Sequence, residues 1–387
     1  RGARGARGAP RTKIVRPAAP GMALALLACC CGALVSMSRV SSAAVTHRIV
    51  ADALLADDSL DVPGILWLEH LNLLTGPKEM ANKFYVDFIG MVPEPGRSWH
   101  VNLGSQQFHL AAAAPGDELV LTGNVGLTVP SLGTLRGRIE RARKDFGGTQ
   151  FDVADAHDHL LVTCPWGNRF VVRDASTDAL AGVSTNAGVT NSELPKMARA
   201  HLGLDEGSSV RELGGAGIRY VSFQARRGTV ERIGRFYAEM LGATVHVEEH
   251  AEGEMAITAA VLVGPSVHFV FFEHREEDLS AEEEAKQAGK GAASDGGEGL
   301  HACVYIHSFK RAFERLDARG LIWTNPRFRH LDTCDSWEEA HASRQFRFKS
   351  IVDLDTMEPL LELEHEVRAQ RHFQFYKRTH YPPGSGL

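Results

Sequence analysis

The 387-residue chain reads as an α+β protein in which one βαβββ unit is written four times. Two stretches predict this. WLEHLNLLTGPKEMANKFYVDFIGMVP (67–93) is a half-buried strand, a turn, and a helix with Phe84, Tyr85, Phe88 and Ile89 at helical spacing, closed by Gly90. IRYVSFQARRGTVERIGRFYAEMLGATV (218–245) repeats the plan with Phe236, Tyr237, Met240 and Leu241, closed by Gly242. A repeat at this scale marks a supersecondary unit used more than once.

Two further copies fill the gaps. NVGLTVPSLGTLRGRIERARKDFGG (124–148) and HACVYIHSFKRAFERLDARGLIW (301–323) each read as a strand, a turn and an amphipathic helix capped by Gly. About three strand-like runs follow each helix. HVNLG and QFHLA follow the first, HLLVTC and RFVVRD the second, MAITAAVLV and VHFVFF the third, RQFRFKSIVDL and LLELEHE the fourth. The order is therefore A-B-A′-B′. The aromatic pairs need no role beyond core, because rings four residues apart bury a helix against a sheet.

The expected organisation is a leader over 1–60, a first two-module domain over 61–174, a linker over 175–216 and a second two-module domain over 217–372. A C-terminal tail follows over 373–387. The linker is rich in Gly, Ser, Ala and Thr, and the acidic, low-complexity run at about 275–299 reads as a disordered insert. The leader begins with a basic, acid-free segment. ALALLACCCGALV (23–35) is a short apolar run, and SSAA (41–44) supplies small residues for cleavage near Ala43 or Ala44, with Met22 as a candidate start. This layout predicts an endomembrane, secretory or plastid address, or a cytoplasmic one if the leader is not translated.

Composition excludes several classes. A net charge of −6 and a pI near 6.3 argue against a nucleic-acid binder. No apolar stretch in the body is long enough to span a membrane. The body's cysteines, Cys164, Cys303 and Cys334, are odd in number and lack CxxC spacing, so neither a disulfide scaffold nor a zinc ribbon is expected. There is no GxSxG elbow, P-loop or HExxH.

These paired units resemble the vicinal-oxygen-chelate superfamily, which includes glyoxalase I, the extradiol ring-cleaving dioxygenases and the bleomycin-resistance proteins. The resemblance covers about 64–174 and 217–372. It is carried by LEHLNLL with FYVDFIGM, by CPWGNRFVVRD (164–174), and by IVDLDTMEPLLELEHEV (351–367). It implies two open, cupped, glyoxalase-like sheets, each built from two modules, with a metal held by the first and last strands of each unit. A monomer suffices if each half pairs its own modules.

Mapped residue by residue, the second half offers Tyr220, His268, His301 and Glu362. The set implied is His268, His301 and Glu362 as ligands of Fe²⁺, Mn²⁺, Ni²⁺ or Zn²⁺, with Tyr220 as a polar wall or proton donor and Tyr220 and Glu362 as catalytic candidates. The first half offers His70, His109 and Asn124, a second-choice site in which Val171 takes the fourth corner. A two-histidine, one-carboxylate set suits a divalent ion with open positions for two substrate oxygens. The implied activity is metal-dependent action on a small vicinal-oxygen substrate, either as a lyase or isomerase like glyoxalase I or as a ring-cleaving dioxygenase. The alternative is a non-catalytic protein that binds or sequesters a small molecule without metal. In LLELEHEV (360–367), period-2 alternation sends Leu361, Leu363 and His365 toward the helices and Glu362, Glu364 and Glu366 into the cup, with Glu362 expected deepest.

Overall fold

All four modules form, and they pair across the two halves of the chain. The computed structural model describes residues 47–49, 64–175, 217–283 and 299–375, with residues 95, 98, 105, 265, 266 and 281 excepted. The segment expected to carry a targeting signal, nearly all of the linker, most of the acidic insert and the end of the tail lie outside these residues. No helix among the described residues is long and apolar enough to cross a membrane.

A short strand, β1 (His47–Ile49), precedes the modules. Module one is β2 (Ile65–Thr75), α1 (Lys78–Asn82) running into a wider helical turn over Lys83–Ile89, β3 (Val92–Pro93), β4 (His100–Leu103) and β5 (Gln106–Ala112). Module two is β6 (Val125–Val129), α2 (Leu132–Arg136), α3 (Ile139–Asp145), β7 (Asp152–Asp155), β8 (His159–Thr163) and β9 (Arg169–Asp174). Module three is β10 (Gly217–Gln224), α4 (Val230–Leu241), β11 (Val245–Glu249), β12 (Met255–Gly264) and β13 (Val267–His274). Module four is β14 (His301–Ile306), α5 (Phe309–Asp317), α6 (Trp337–Ser343), β15 (Gln345–Val352) and β16 (Pro359–Ala369).

The helices obey the local rules that their sequences suggest. Burying Val230, Ile233, Phe236, Tyr237, Met240 and Leu241 of α4 removes large apolar side chains from water, each worth roughly 1.5–3 kcal/mol. Gly242 takes φ 67° beyond its last turn, and its N–H donates to the Ala238 carbonyl at 3.0 Å while Ala243 N–H reaches Tyr237 O at 3.2 Å. That is a left-handed glycine cap. Gly90 does the same for module one at φ 95°, with Met91 N–H on Tyr85 O at 2.9 Å. At the other end of α4, the buried Glu273 carboxylate accepts from the N–H groups of Gly228, Thr229 and Val230 at 2.7, 2.8 and 2.9 Å. These are donors that a helix start leaves without intrahelical partners.

Two sheets result. One has nine strands in the order β1-β11-β12-β13-β10-β6-β9-β8-β7, the other seven in the order β15-β16-β14-β2-β5-β4-β3. The first strands join them: β10 lies antiparallel to β6, and β14 antiparallel to β2. Modules two and three therefore share one sheet, and modules one and four share the other. The expected pairing within each half does not occur, so the two 61–174 and 217–372 domains are not separate sheets. The leader boundary shifts as well, since β1 pairs with β11. In module four the first strand after the helix shrinks to one bridge, Ile322 to Phe348. The chain it releases wraps toward the concave face of the seven-stranded sheet.

Candidate metal centre

Four central strands, β16-β14-β2-β5, build the concave face of the seven-stranded sheet. Register places His70 opposite Cys303 and Asn72 opposite His301 on the antiparallel pair. The flanking parallel strands set Glu364 beside His301, Glu366 beside Cys303, Gln107 beside His70 and His109 beside Asn72. Alternation then puts polar side chains on the cup and apolar ones on the helices. His365 shows the reverse face: fully buried, it stacks on Phe348 and hydrogen-bonds Tyr237 Oη at 2.9 Å. Burial pushes its imidazole pKa down to about 3.

Three imidazoles converge in the cup. His70 Nε2 and His301 Nε2 are 3.2 Å apart, with their rings nearly perpendicular at 80°. His109 stacks on His70 with centroids 3.7 Å apart, and His100 stacks on His109 at 3.6 Å. His70, His109 and His301 each present a nitrogen within 4.8 Å of the others'. Gln107 orients His109: its amide nitrogen donates to Glu94 and Asn102, so its Oε1 accepts from His109 Nε2 at 2.8 Å. Nδ1 is then the lone-pair nitrogen of His109. Burial lowers the His301 pKa, which keeps that ring neutral at ordinary pH.

A carboxylate–guanidinium network lies beneath the imidazoles. Arg347 bonds Glu364 at 2.9 Å and Glu366 at 2.8 Å, and Asn325 Nδ2 donates to both oxygens of Glu364 at 3.1 Å. Arg368 pairs with Glu366 and Glu69. Burial alone would raise the Glu366 pKa, but Arg347 and Arg368 outweigh it and hold the carboxyl well below its usual range. Cys303 S–H donates to Glu69 Oε2 at 3.3 Å, and burial pushes that thiol far up. The cup encloses about 870 Å³, with Trp99, Phe328 and Leu331 among its apolar walls and Arg97, Arg327 and Asp332 among its polar ones.

The residues expected from sequence are divided between the two sheets. Tyr220 and His268 are register partners in the nine-stranded sheet, whereas His301 and Glu362 belong to the seven-stranded one. His268, His301 and Glu362 therefore do not form one site. Glu362 points into the cup as alternation requires, but its depth is reversed. It pairs with Ser350, lies before the point where β14 begins opposite Glu364, and meets Lys349 Nζ at 3.4 Å near the rim. Glu366 is the deep acid. Of the second-choice set, His70 and His109 meet in the cup, while Asn124 precedes β6 in the other sheet, where its backbone bonds Ser222. The structure thus joins His301 to His70 and His109.

Tyr220 serves a different purpose. Its ring covers Gly126 across β10 and β6, where a Cβ would lie 2.1 Å from the Tyr220 ring. With Leu161, Val171, Ala260 and Val270 it forms an apolar cluster on the concave face of the nine-stranded sheet. Among the described residues, no group of three ligand atoms forms there. Sequence reasoning missed Glu69, Gln107 and Arg368 as parts of the cup, and it placed Glu362 rather than Glu366 deepest. The alternation of LLELEHEV carried a signal for Glu366; the partner strands that rank its depth did not show in sequence.

The fold implies a metal, and the histidine set fits one. Nitrogens bound to one divalent ion at about 2.1 Å, with roughly 90–109° between them, lie about 3.0–3.4 Å apart. The His70–His301 separation of 3.2 Å falls in that range. Below them, Glu69, Glu364, Glu366 and Asp332 face Arg347 and Arg368, so carboxylates outnumber guanidiniums around the imidazoles. A second group, Glu69, His70 and Cys303, also brings ligand atoms together. There the Arg368 guanidinium already occupies Glu69, which disfavours a second cation.

Four βαβββ modules, joined in pairs through antiparallel first strands around open cups, make this a protein of the vicinal-oxygen-chelate fold. No family model matches the sequence, and no curated protein matches it. Among solved structures the chain is similar to a glyoxalase I mutant from Zea mays, at 11% identity and TM-score 0.42, over 78% of this chain and 92% of that one. It is also similar to a 2,3-dioxygenase from Pseudomonas, at 14% identity and TM-score 0.25, over 79% and 93%. A mutant 4-hydroxymandelate synthase from Streptomyces coelicolor aligns at 14% identity and TM-score 0.27, over 79% and 93%. The class rests on module order and strand register, since scores this low carry no argument about chemistry.

Proposed function

We propose that the protein is a divalent-metal-dependent enzyme that acts on a small, anionic vicinal-oxygen substrate in the cup of modules one and four. One observation carries this reading: three imidazoles from three strands converge there above a buried network in which carboxylates outnumber guanidiniums. His70, His109 and His301 would hold the ion. Bound there, it would polarise two adjacent substrate oxygens as a Lewis acid.

The chain's own groups do the rest. Arg97 and Arg327 lie on opposite modules around the cup and would orient a carboxylate of the substrate. Arg347 also lines the cup, but its charge is committed to Glu364 and Glu366 inside. Phe328 and Trp99 narrow the space left for water. Asp332 also lines the cup, and burial raises its carboxyl above the ordinary range.

A binding role without metal is supported for the other cup alone, whose wall is apolar around Tyr220 and Val171. The test is metal analysis of the purified protein, followed by turnover of a catechol and an α-hydroxy ketone, each with and without a carboxylate. Oxygen consumption separates ring cleavage from isomerase or lyase chemistry. The reading expects about one divalent ion per chain, loss of turnover in His70→Ala and His301→Ala, and preference for the carboxylated probe that Arg97→Met abolishes. Protein that stays free of metal at saturating Fe²⁺, Mn²⁺, Ni²⁺ and Zn²⁺ would leave the non-catalytic binder standing.

A further inference from the structure

We propose that Glu69 is a positioning residue that holds His70 in its Nδ1–H tautomer and so presents the Nε2 lone pair to a divalent cation in the cup. The cation is taken from the reading above; the tautomer stands or falls separately.

The first observation is a break in strand register. His70 is paired with Cys303, but the next partners along are Leu68 and Val304, so Glu69 is the extra residue of a bulge. In a regular strand, neighbours point to opposite faces, and Glu69 would enter the helix layer. The bulge re-aims it. Its Oε2 meets Cys303 Sγ at 3.3 Å, pairs with Arg368, and lies 3.7 Å from His70 Nδ1. Glu69 and His70 therefore serve the same side of the sheet.

The second observation is burial. Glu69 is 0% exposed, and a carboxylate there needs charged or donating partners. Arg368 supplies one, yet Arg368 also pairs with Glu366. Carboxylates flank both ring nitrogens, with Glu69 Oε2 3.7 Å from Nδ1 and Glu366 Oε2 3.9 Å from Nε2. Glu366 is bound by both Arg347 and Arg368, whereas Glu69 shares only Arg368, so the nearer and less compensated charge favours the proton on Nδ1. With Nδ1 protonated, Nε2 accepts from His301 Nε2–H at 3.2 Å in the absence of a cation and offers the same lone pair to one when it binds. His109 is set in the same manner by Gln107, with its two nitrogens exchanged. Both rings thus have an oxygen behind them and a lone pair ahead.

The test uses full-length protein with ¹⁵N-labelled histidine, kept in chelator at pH 8, and reads the long-range ¹H–¹⁵N pattern of His70, assigned by its loss in His70→Gln. The expected pattern is a protonated Nδ1 and a bare Nε2; Nε2–H in the wild type overturns the proposal whether or not any variant folds. Glu69→Gln should shift the His70 population toward Nε2–H and weaken Co²⁺ binding by about 10–100-fold, with partial recovery in Glu69→Asp. An unchanged His70 pattern in folded Glu69→Gln also overturns it. If the wild type shows Nδ1–H but binds no Co²⁺, the metal reading fails and the positioning role survives.

Discussion

His70 Nε2 and His301 Nε2 face each other across 3.2 Å, although 231 positions separate them in the chain. The contact exists because β2 and β14, the first strands of modules one and four, lie side by side and antiparallel. It divides the histidines of this protein into those that can share an ion and those that cannot.

Loss of either imidazole should weaken Co²⁺ binding by more than the roughly 100-fold seen when an outer-shell partner is lost, whereas His268→Ala and Glu362→Ala should stay within about twofold. Calorimetric titration of the four variants decides this. Equal losses in His301→Ala and His268→Ala would contradict the sheet assignment.

Arg347 bonds both Glu364 and Glu366 while only 5% exposed. Arg347→Met should leave two buried acids short of a counter-charge and destabilise the fold by about 3–5 kcal/mol. Urea unfolding would measure it. A change well below 1 kcal/mol would mean that the network is open to water.

Gly126 lies under the Tyr220 ring with no room for a methyl group. Gly126→Ala should destabilise by about 1–3 kcal/mol, and Tyr220→Leu in the same background should restore much of the loss. Thermal unfolding of the single and double variants reads the coupling.

His268 points to the apolar concave face, and its Nδ1 has no hydrogen-bond partner among the described residues. Burial, with a smaller push from His246, lowers its pKa from 6.5 to about 4. The fold therefore favours the neutral ring, and the unfolded chain binds the proton first as pH falls. Its contribution is fully present above pH 6.5 and is lost as pH drops toward 4. Melting temperatures taken over that interval should fall less steeply in His268→Leu than in the wild type. Parallel slopes would show that His268 is solvated.

Much of the fold was legible because its determinants are local. The KFYVDFIGM and RFYAEMLGA segments carry helical spacing and a closing glycine within a few residues, and Gly90 and Gly242 take the left-handed cap that this pattern demands. The faces of LLELEHEV were equally readable, since alternation is a property of one strand: His365 went to the helices and Glu366 to the cup. Glu69 was not readable, because the bulge that turns it inward breaks the alternation on which any single-strand reading depends.

The sequence by itself determined four strand–helix–strand modules, their glycine helix caps, and which residues of LLELEHEV share a face. Tertiary structure alone decided that module one joins four and two joins three, and with that which histidines meet. Strand pairing is settled by contacts between segments hundreds of residues apart, so no local pattern encodes it. His268 and Glu362 had the right chemistry and the right faces, yet His268 lies in the other sheet and Glu362 at the rim. His70, His109 and His301 became a candidate site because β5, β2 and β14 are neighbours in one sheet.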